Sequence, residues 1–197
     1  MPADHEQLNV ELDEAVGLLV EAFTSKSIEY ALVGGLAASL RGRPRFTQDV
    51  DVLVRVPQIA LPPLLDELIR LGFHLDPTKV IREYLQEHLT AFQYKSVRID
   101  WLKPMLPFYA NTLAGASLMP WKADQLVRVA RPEGLILTKL AAFRPQDQTD
   151  IEMLLSSNRD DIDVDWIRNE WSAVAEGEDD RTTWLEAAIA RSVPPRK

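Results

Sequence analysis

Apolar residues recur at helical spacing near the start of the chain, through Leu8, Leu12, Val16, Leu19, Val20 and Phe23. This pattern predicts an amphipathic helix over residues 4–25 that lies against a sheet. Apolar runs with strand character follow at 28–33 and 50–56, with a short helix at 36–41 between them. A helix at 63–71 is stopped by Gly72, and further strands are expected at 92–95 and 98–102. The segment 79–89 reads equally as a helix or a loop, and 103–110, punctuated by Pro104 and Pro107, reads as an apolar loop shaping an acceptor pocket. Beyond Pro132 the periodicity becomes helical, over 134–143, 147–156, 164–175 and 181–191. These elements predict an α+β chain: a mixed β-sheet core flanked by helices over 1–131, with a C-terminal helical region over 132–197 packed on it.

Polar residues interrupt this pattern at a few places, and those places carry the chemistry. The strand at 28–33 ends in Gly34-Gly35, a strand-to-helix turn where a missing Cβ permits positive φ and close approach of a ligand. The free N–H groups of the following helix favour an anionic phosphate. Fourteen residues after Gly35 comes Asp49-Val50-Asp51-Val52-Leu53-Val54. Strand side chains alternate faces, so Asp49 and Asp51 point the same way, about 7 Å apart. Two carboxylates on one face repel each other, and a divalent cation relieves that repulsion; Mg²⁺ takes one or two carboxylates together with substrate phosphate oxygens.

The run V-G-G-L-A-A-S-L-R-G-R-P-R-F-T-Q-D-V-D-V-L-V resembles the signature of the nucleotidyltransferase superfamily with the DNA polymerase β-like fold. Within it, the likeness is to small bacterial abortive-infection (AbiEii-type) proteins and related groups, through Gly42, Arg45, Thr47, Asp49 and Asp51. The best-known enzymes of the superfamily have Gly-Ser where this chain has Gly34-Gly35, so a hydroxyl able to touch phosphate is missing here. The resemblance implies a third carboxylate on a neighbouring strand, for which Asp100 in Val97-Arg98-Ile99-Asp100 is the candidate; its bland alternative is an ion pair with Arg98 or Arg55. It further implies that Asp49, Asp51 and Asp100 bind two Mg²⁺ ions, with Asp51 bridging both and Asp100 a candidate base. Gly34, Gly35, Arg45 and Thr47 would then hold the nucleoside triphosphate. Lys139, in the helix opened by Pro132, would contact phosphate and share in catalysis, and Asp147 would orient Lys139 or act on the acceptor. The blander reading makes Lys139 one surface lysine among many and Asp147 a helix-terminal acid.

The implied reaction moves a nucleoside monophosphate from a triphosphate to a hydroxyl of a tRNA, a protein or a small molecule. Small members of the superfamily often pair with a partner protein, so a toxin–antitoxin partner is a further expectation. A rival reading is a lapsed, nucleotide-binding module of the same fold. Asp163-Val164-Asp165 repeats the Asp-x-Asp spelling with no strand or Gly-Gly turn upstream, and is read as a helix cap.

Composition narrows the setting. The chain has 197 residues, 46% hydrophobic and 26% charged, enough for one sizeable core. Its net charge of −8 argues against gathering nucleic acid over the whole surface, although Arg41, Arg43 and Arg45 crowd the segment before the carboxylates, placed either to hold triphosphate or RNA backbone or to be solvated. No run is long enough to span a bilayer and no signal-peptide pattern opens the chain, so no membrane partner and a cytoplasmic location are expected. The absence of cysteine excludes disulfides and thiolate metal sites.

Overall fold

The computed structural model describes residues 2–44, 46–122, 125–175 and 180–193. Among these, six strands form one mixed sheet in the order β3-β4-β2-β1-β6-β5. They are β1 (Glu29–Val33), β2 (Asp49–Arg55), β3 (Leu89–Tyr94), β4 (Val97–Leu102), β5 (Ser117–Pro120) and β6 (Leu126–Val129). β2 runs antiparallel to β1 and parallel to β4, and β1 runs parallel to β6. Helix α1 (Pro2–Ser25) precedes the sheet, and α2 (Gly34–Arg41) joins β1 to β2.

Register explains the two faces of the sheet. Val50 and Val52 of β2 lie opposite Ile99 and Trp101 of β4, and all four are fully buried. Trp101 stacks near Phe23 of α1, with ring centroids 5.7 Å apart, so the apolar stripe of the first helix covers this face as its periodicity predicts. On the other face the same pairing puts Asp49 beside Arg98 and Asp51 beside Asp100.

Helices α3 (Leu61–Arg70) and α4 (Pro77–Gln86) connect β2 to β3. The ambiguous middle segment is therefore mostly helix, capped by Asp76, whose carboxylate accepts from the Thr78 and Lys79 N–H groups. Gly72 ends α3 at φ 93°, where only glycine is unstrained. The Tyr84 hydroxyl donates to the Val54 carbonyl and accepts from the Val56 N–H, so its burial leaves no polar atom unpaired at the end of β2.

Two readings need correction. The stretch taken as a Pro-punctuated loop contains α5 (Pro107–Ala114), because Pro107 sits in the first helical turn, where its missing N–H costs nothing. Strand β5 was not anticipated, and β6, expected beside Val129 only by resemblance, is as short: each has four residues, and β5 is largely exposed, so alternation is too short to read. Towards the C-terminus come α6 (Pro132–Ala142), α7 (Pro145–Ser157), α8 (Val164–Ser172) and α9 (Asp180–Ser192), in the places the periodicity predicted. Asp163 caps α8, its carboxylate accepting from the Trp166 N–H at 2.9 Å, as expected for the control Asp-x-Asp. Helix α6 packs on α2, α5, α7 and α8. Among the described residues no helix is long and apolar enough to cross a membrane.

Candidate functional site

The chain brings Asp51 to the N-terminus of α2. Val33 and Asp51 are paired across β1 and β2, and the Gly34-Gly35 turn follows directly. Gly34 adopts φ 65°, and a Cβ there would overlap the Asp51 carboxylate. Glycine is needed at this position for both conformation and space. The Gly35 amide favours the ionised form of Asp51, so the turn expected to cradle phosphate already faces the chain's own carboxylate.

Asp51 and Asp100 are direct partners across the parallel β2–β4 pair, whose backbones lie about 4.8 Å apart. Burial, then the charges of Asp100 and Asp49, push the Asp51 carboxyl above its usual range; Lys139 and the Gly35 amide act in the opposite direction. Asp49 is exposed at the head of β2. Thr47 approaches this end of the strand, its hydroxyl 3.4 Å from the Asp49 carbonyl oxygen. Arg45 lies outside the described residues.

Asp100 is held by Arg98, two residues before it on the same face. The guanidinium donates to both carboxylate oxygens, with Nε–Oδ2 at 2.9 Å and Nη2–Oδ1 at 2.8 Å. This is the ion pair the sequence left open as the bland alternative. With it in place, no group of three His, Asp or Glu side chains among the described residues is arranged to hold a metal ion. The donor chemistry nonetheless fits Mg²⁺: three hard carboxylates share one face, and Asp51 carries repulsion from the other two. Arg98 is the group a cation would displace from Asp100.

Lys139 is not a surface lysine. It is 5% exposed, and its Nζ lies 2.6 Å from Asp150 Oδ2 and 3.6 Å from Asp147 Oδ1. Asp147 serves α7 at its third residue, accepting from the Arg144 backbone N–H at 3.1 Å and from the Arg144 guanidinium at 2.7 Å. Burial opposes its ionised form, but these bonds and the charge of Lys139 outweigh it and hold the carboxyl below its usual range. Asp150, like Asp147, suits a helix N-terminus by sequence; the three-residue spacing of the two, which puts both on one side of α7, was the available signal for their shared partner. Arg41 turns away from the carboxylates: its guanidinium donates to the Val129 and Ala130 carbonyls, tying the end of α2 to β6.

No protein-family model matches the sequence, and no curated protein does either. Solved structures do. An antigenic nucleotidyltransferase-like protein from Paracoccidioides brasiliensis superposes with a TM-score of 0.56 at 19% identity, over 90% of this chain and 93% of that one. Weaker likenesses, with TM-scores of 0.49, are to the antibiotic-resistance factor ANT(2'')-Ia (13% identity, 94% and 90% covered) and to the lincosamide antibiotic adenylyltransferase LnuA (14% identity, 70% and 92% covered). At these identities the likeness concerns the path of the backbone alone, and only the first is strong enough to argue from. The mixed sheet flanked by helices is the nucleotidyltransferase fold.

Proposed function

We propose that this chain is a Mg²⁺-dependent nucleotidyltransferase that moves a nucleoside monophosphate from a triphosphate to a hydroxyl acceptor. The observation that carries the reading is the pairing of Asp51 with Asp100 across β2 and β4, with Asp49 on the same face and the Gly34-Gly35 turn against Asp51. In the reaction the acceptor oxygen attacks the α-phosphorus, the bond to the bridging oxygen breaks, pyrophosphate leaves, and the hydroxyl proton passes to Asp100 or to water. Mg²⁺ held by Asp49, Asp51 and Asp100, one ion or two, would lower the pKa of the attacking hydroxyl and share the triphosphate charge. By motif position Gly34, Gly35, Arg45 and Thr47 would meet the phosphates. Arg98, once released from Asp100, is a cation on this face, and the charge of Lys139 acts on Asp51 as well.

The motif spelling from Gly34 to Asp51, with Lys139 downstream, supports a place beside the abortive-infection group. That placement brings with it a tRNA, protein or small-molecule acceptor and a toxin–antitoxin partner. A second reading has its own observation: the bidentate Arg98–Asp100 pair suits a binding module whose chemistry has lapsed.

Thermal unfolding with each nucleoside triphosphate, with and without Mg²⁺, followed by transfer from an α-labelled triphosphate, separates the readings. A ligand at 100 times its dissociation constant stabilises by about 2.7 kcal/mol. The enzyme reading expects a Mg²⁺-dependent shift that Asp51→Ala abolishes, together with label transferred to an acceptor. A metal-independent shift without transfer supports the lapsed module. No shift with any triphosphate rejects both.

A further inference from the structure

Burial alternates along β3 and β4, so one side of this part of the sheet is covered and the other is not. Thr90, Phe92, Ile99 and Trp101 fill the covered side. There α1 brings Phe23 to Trp101, and α4 brings Tyr84 to the same ring and Glu83 to the Thr90 hydroxyl, which donates to it. The opposite side is the carboxylate face. On it Asp100 lies beside Ala91, and Leu102 lies beside Leu89. Leu102 is two residues beyond Asp100, about 7 Å along the strand. Leu89 is exposed, and Ala91 and Leu102 are half-buried.

From Leu102 the chain passes through Met105 and Leu106, both exposed, into α5. That helix packs on β1 and β2 on the same face, where its Leu113 carbonyl accepts from the Arg128 guanidinium. Leu53, the β2 neighbour of Leu102, is fully buried. The cover therefore ends between β2 and β4. Beyond it Leu89, Ala91 and Leu102 form an apolar strip that opens at one end on Asp100 and is followed at the other by Met105 and Leu106. Apolar residues scattered singly over a surface need no explanation, but a strip continuous with a reaction centre does.

The chemistry of the strip limits its occupant. Its residues carry no charge, and Lys103, next in the chain, turns to the other side, its Nζ 5.6 Å from the centre of the Tyr84 ring. A polycation or a nucleic-acid backbone would find no partner on Leu89, Ala91 and Leu102. An extended peptide cannot simply join the sheet beside Asp100, because Gln93 of the edge strand β3 already exchanges backbone hydrogen bonds with His74.

We propose that this strip seats the acceptor of the transfer, and that the acceptor is a small molecule with an apolar body, lying on Leu89, Ala91 and Leu102, and a hydroxyl at one end that meets Asp100. The inference rests on the nucleotidyltransferase reading and names its acceptor class.

The test gives the full chain Mg²⁺, an α-labelled triphosphate and a choice of acceptors: phenols with a para-alkyl chain of one to four carbons, a polycationic aminoglycoside, a short single-stranded RNA, and a peptide bearing serine, threonine and tyrosine. For the phenols kcat/KM should rise about two- to fourfold per added methylene, and the other three should be poor acceptors. In the ¹⁵N-labelled chain the phenols should shift the Ala91 and Leu102 amides whether or not turnover occurs. Leu89→Thr and Met105→Ser change exposed side chains, so both should fold and keep the Mg²⁺-dependent thermal shift with triphosphate. They should raise KM for the phenols, leave kcat nearly unchanged and flatten the dependence on chain length. If triphosphate binds but the phenols are not labelled, or the aminoglycoside, RNA or peptide is preferred, the inference is overturned and the nucleotidyltransferase reading stands. A chain-length dependence unchanged in both variants overturns it as well. No thermal shift with any triphosphate removes the nucleotidyltransferase reading, and the acceptor site with it.

Discussion

Two charged clusters of different character act on Asp51. On α6 and α7, Lys139, Asp150, Asp147 and Arg144 are two cations and two anions, each within 3.6 Å of an opposite charge. On β2 and β4, three carboxylates share a face on which Arg98 is the one cation hydrogen-bonded among the described residues, and it serves Asp100. In the first cluster these charges balance, and Lys139, Asp147 and Asp150 are buried while Arg144 reaches solvent. The second holds excess negative charge, which the Mg²⁺ of the proposed function would offset. Balance marks structure and imbalance marks function, a contrast that substitutions on each side can break.

The largest effect is expected from removing the buried lysine. Lys139→Met strips the shared partner from Asp147 and Asp150, and breaking a buried pair in this way costs about 3–5 kcal/mol. Urea denaturation should show the loss with or without nucleotide. A loss below about 1 kcal/mol, with nucleotide binding abolished, would instead make Lys139 a phosphate ligand held loosely by its neighbours.

Gly34→Ala comes next. It forces a side chain into φ 65° and against the Asp51 carboxylate, and strain of this kind costs about 1–3 kcal/mol. Stability and Mg²⁺-dependent nucleotide binding should fall together. Gly35→Ala, whose backbone has ordinary φ, should be milder on stability.

Asp51→Asn probes the imbalance itself, and here the expected sign reverses. The folded protein holds the Asp51 proton more tightly than the unfolded chain does. The stability this residue contributes is thus present below its unfolded pKa and lost as pH rises through the folded one. Asparagine stays neutral. The apo variant should match wild type well below the unfolded pKa of the carboxylate and be the more stable of the two at neutral pH. Nucleotide binding with Mg²⁺ should nevertheless be lost. A variant less stable than wild type at neutral pH would mean that the carboxylates do not strain the fold.

How much of this could be read from sequence follows from the range of each interaction. Asp49, Asp51 and the Gly34-Gly35 turn sit within one strand–helix–strand unit, where alternation and spacing suffice to place them. Asp163 was separable from them on local grounds, as a cap with no strand before it. The register that sets Asp51 beside Asp100 was not legible, because a parallel pair is joined by a long crossover, here α3, α4 and β3. The burial of Lys139 escaped for a related reason: its partner Asp150 lies across a helix–helix contact, and a lone lysine in a helix ordinarily faces solvent. Helix α5 was hidden because Pro107, read as a breaker, is tolerated in a first turn.

The control Asp-x-Asp gives a smaller effect that sets the scale. Asp163→Ala removes the cap from α8 and should cost about 1 kcal/mol, with Mg²⁺ and nucleotide binding unchanged. Loss of nucleotide binding in this variant would undo the separation of the two motifs.

Arg98→Met is expected to change stability least and to say most about the carboxylate face. Arg98 is 57% exposed, so the pair with Asp100 is worth at most about 1 kcal/mol in water despite its bidentate geometry. In the apo protein its loss should lower stability by less than that. With Asp100 no longer engaged, the face carries three carboxylates and no bonded cation, so Mg²⁺ should bind more tightly and stabilise the variant more than it does wild type. Calorimetric titration with Mg²⁺ alone reads this directly. Unchanged affinity would place the metal on Asp49 and Asp51 without Asp100, and weaker affinity would make Arg98 an organiser of the site, holding Asp100 in place for the ion.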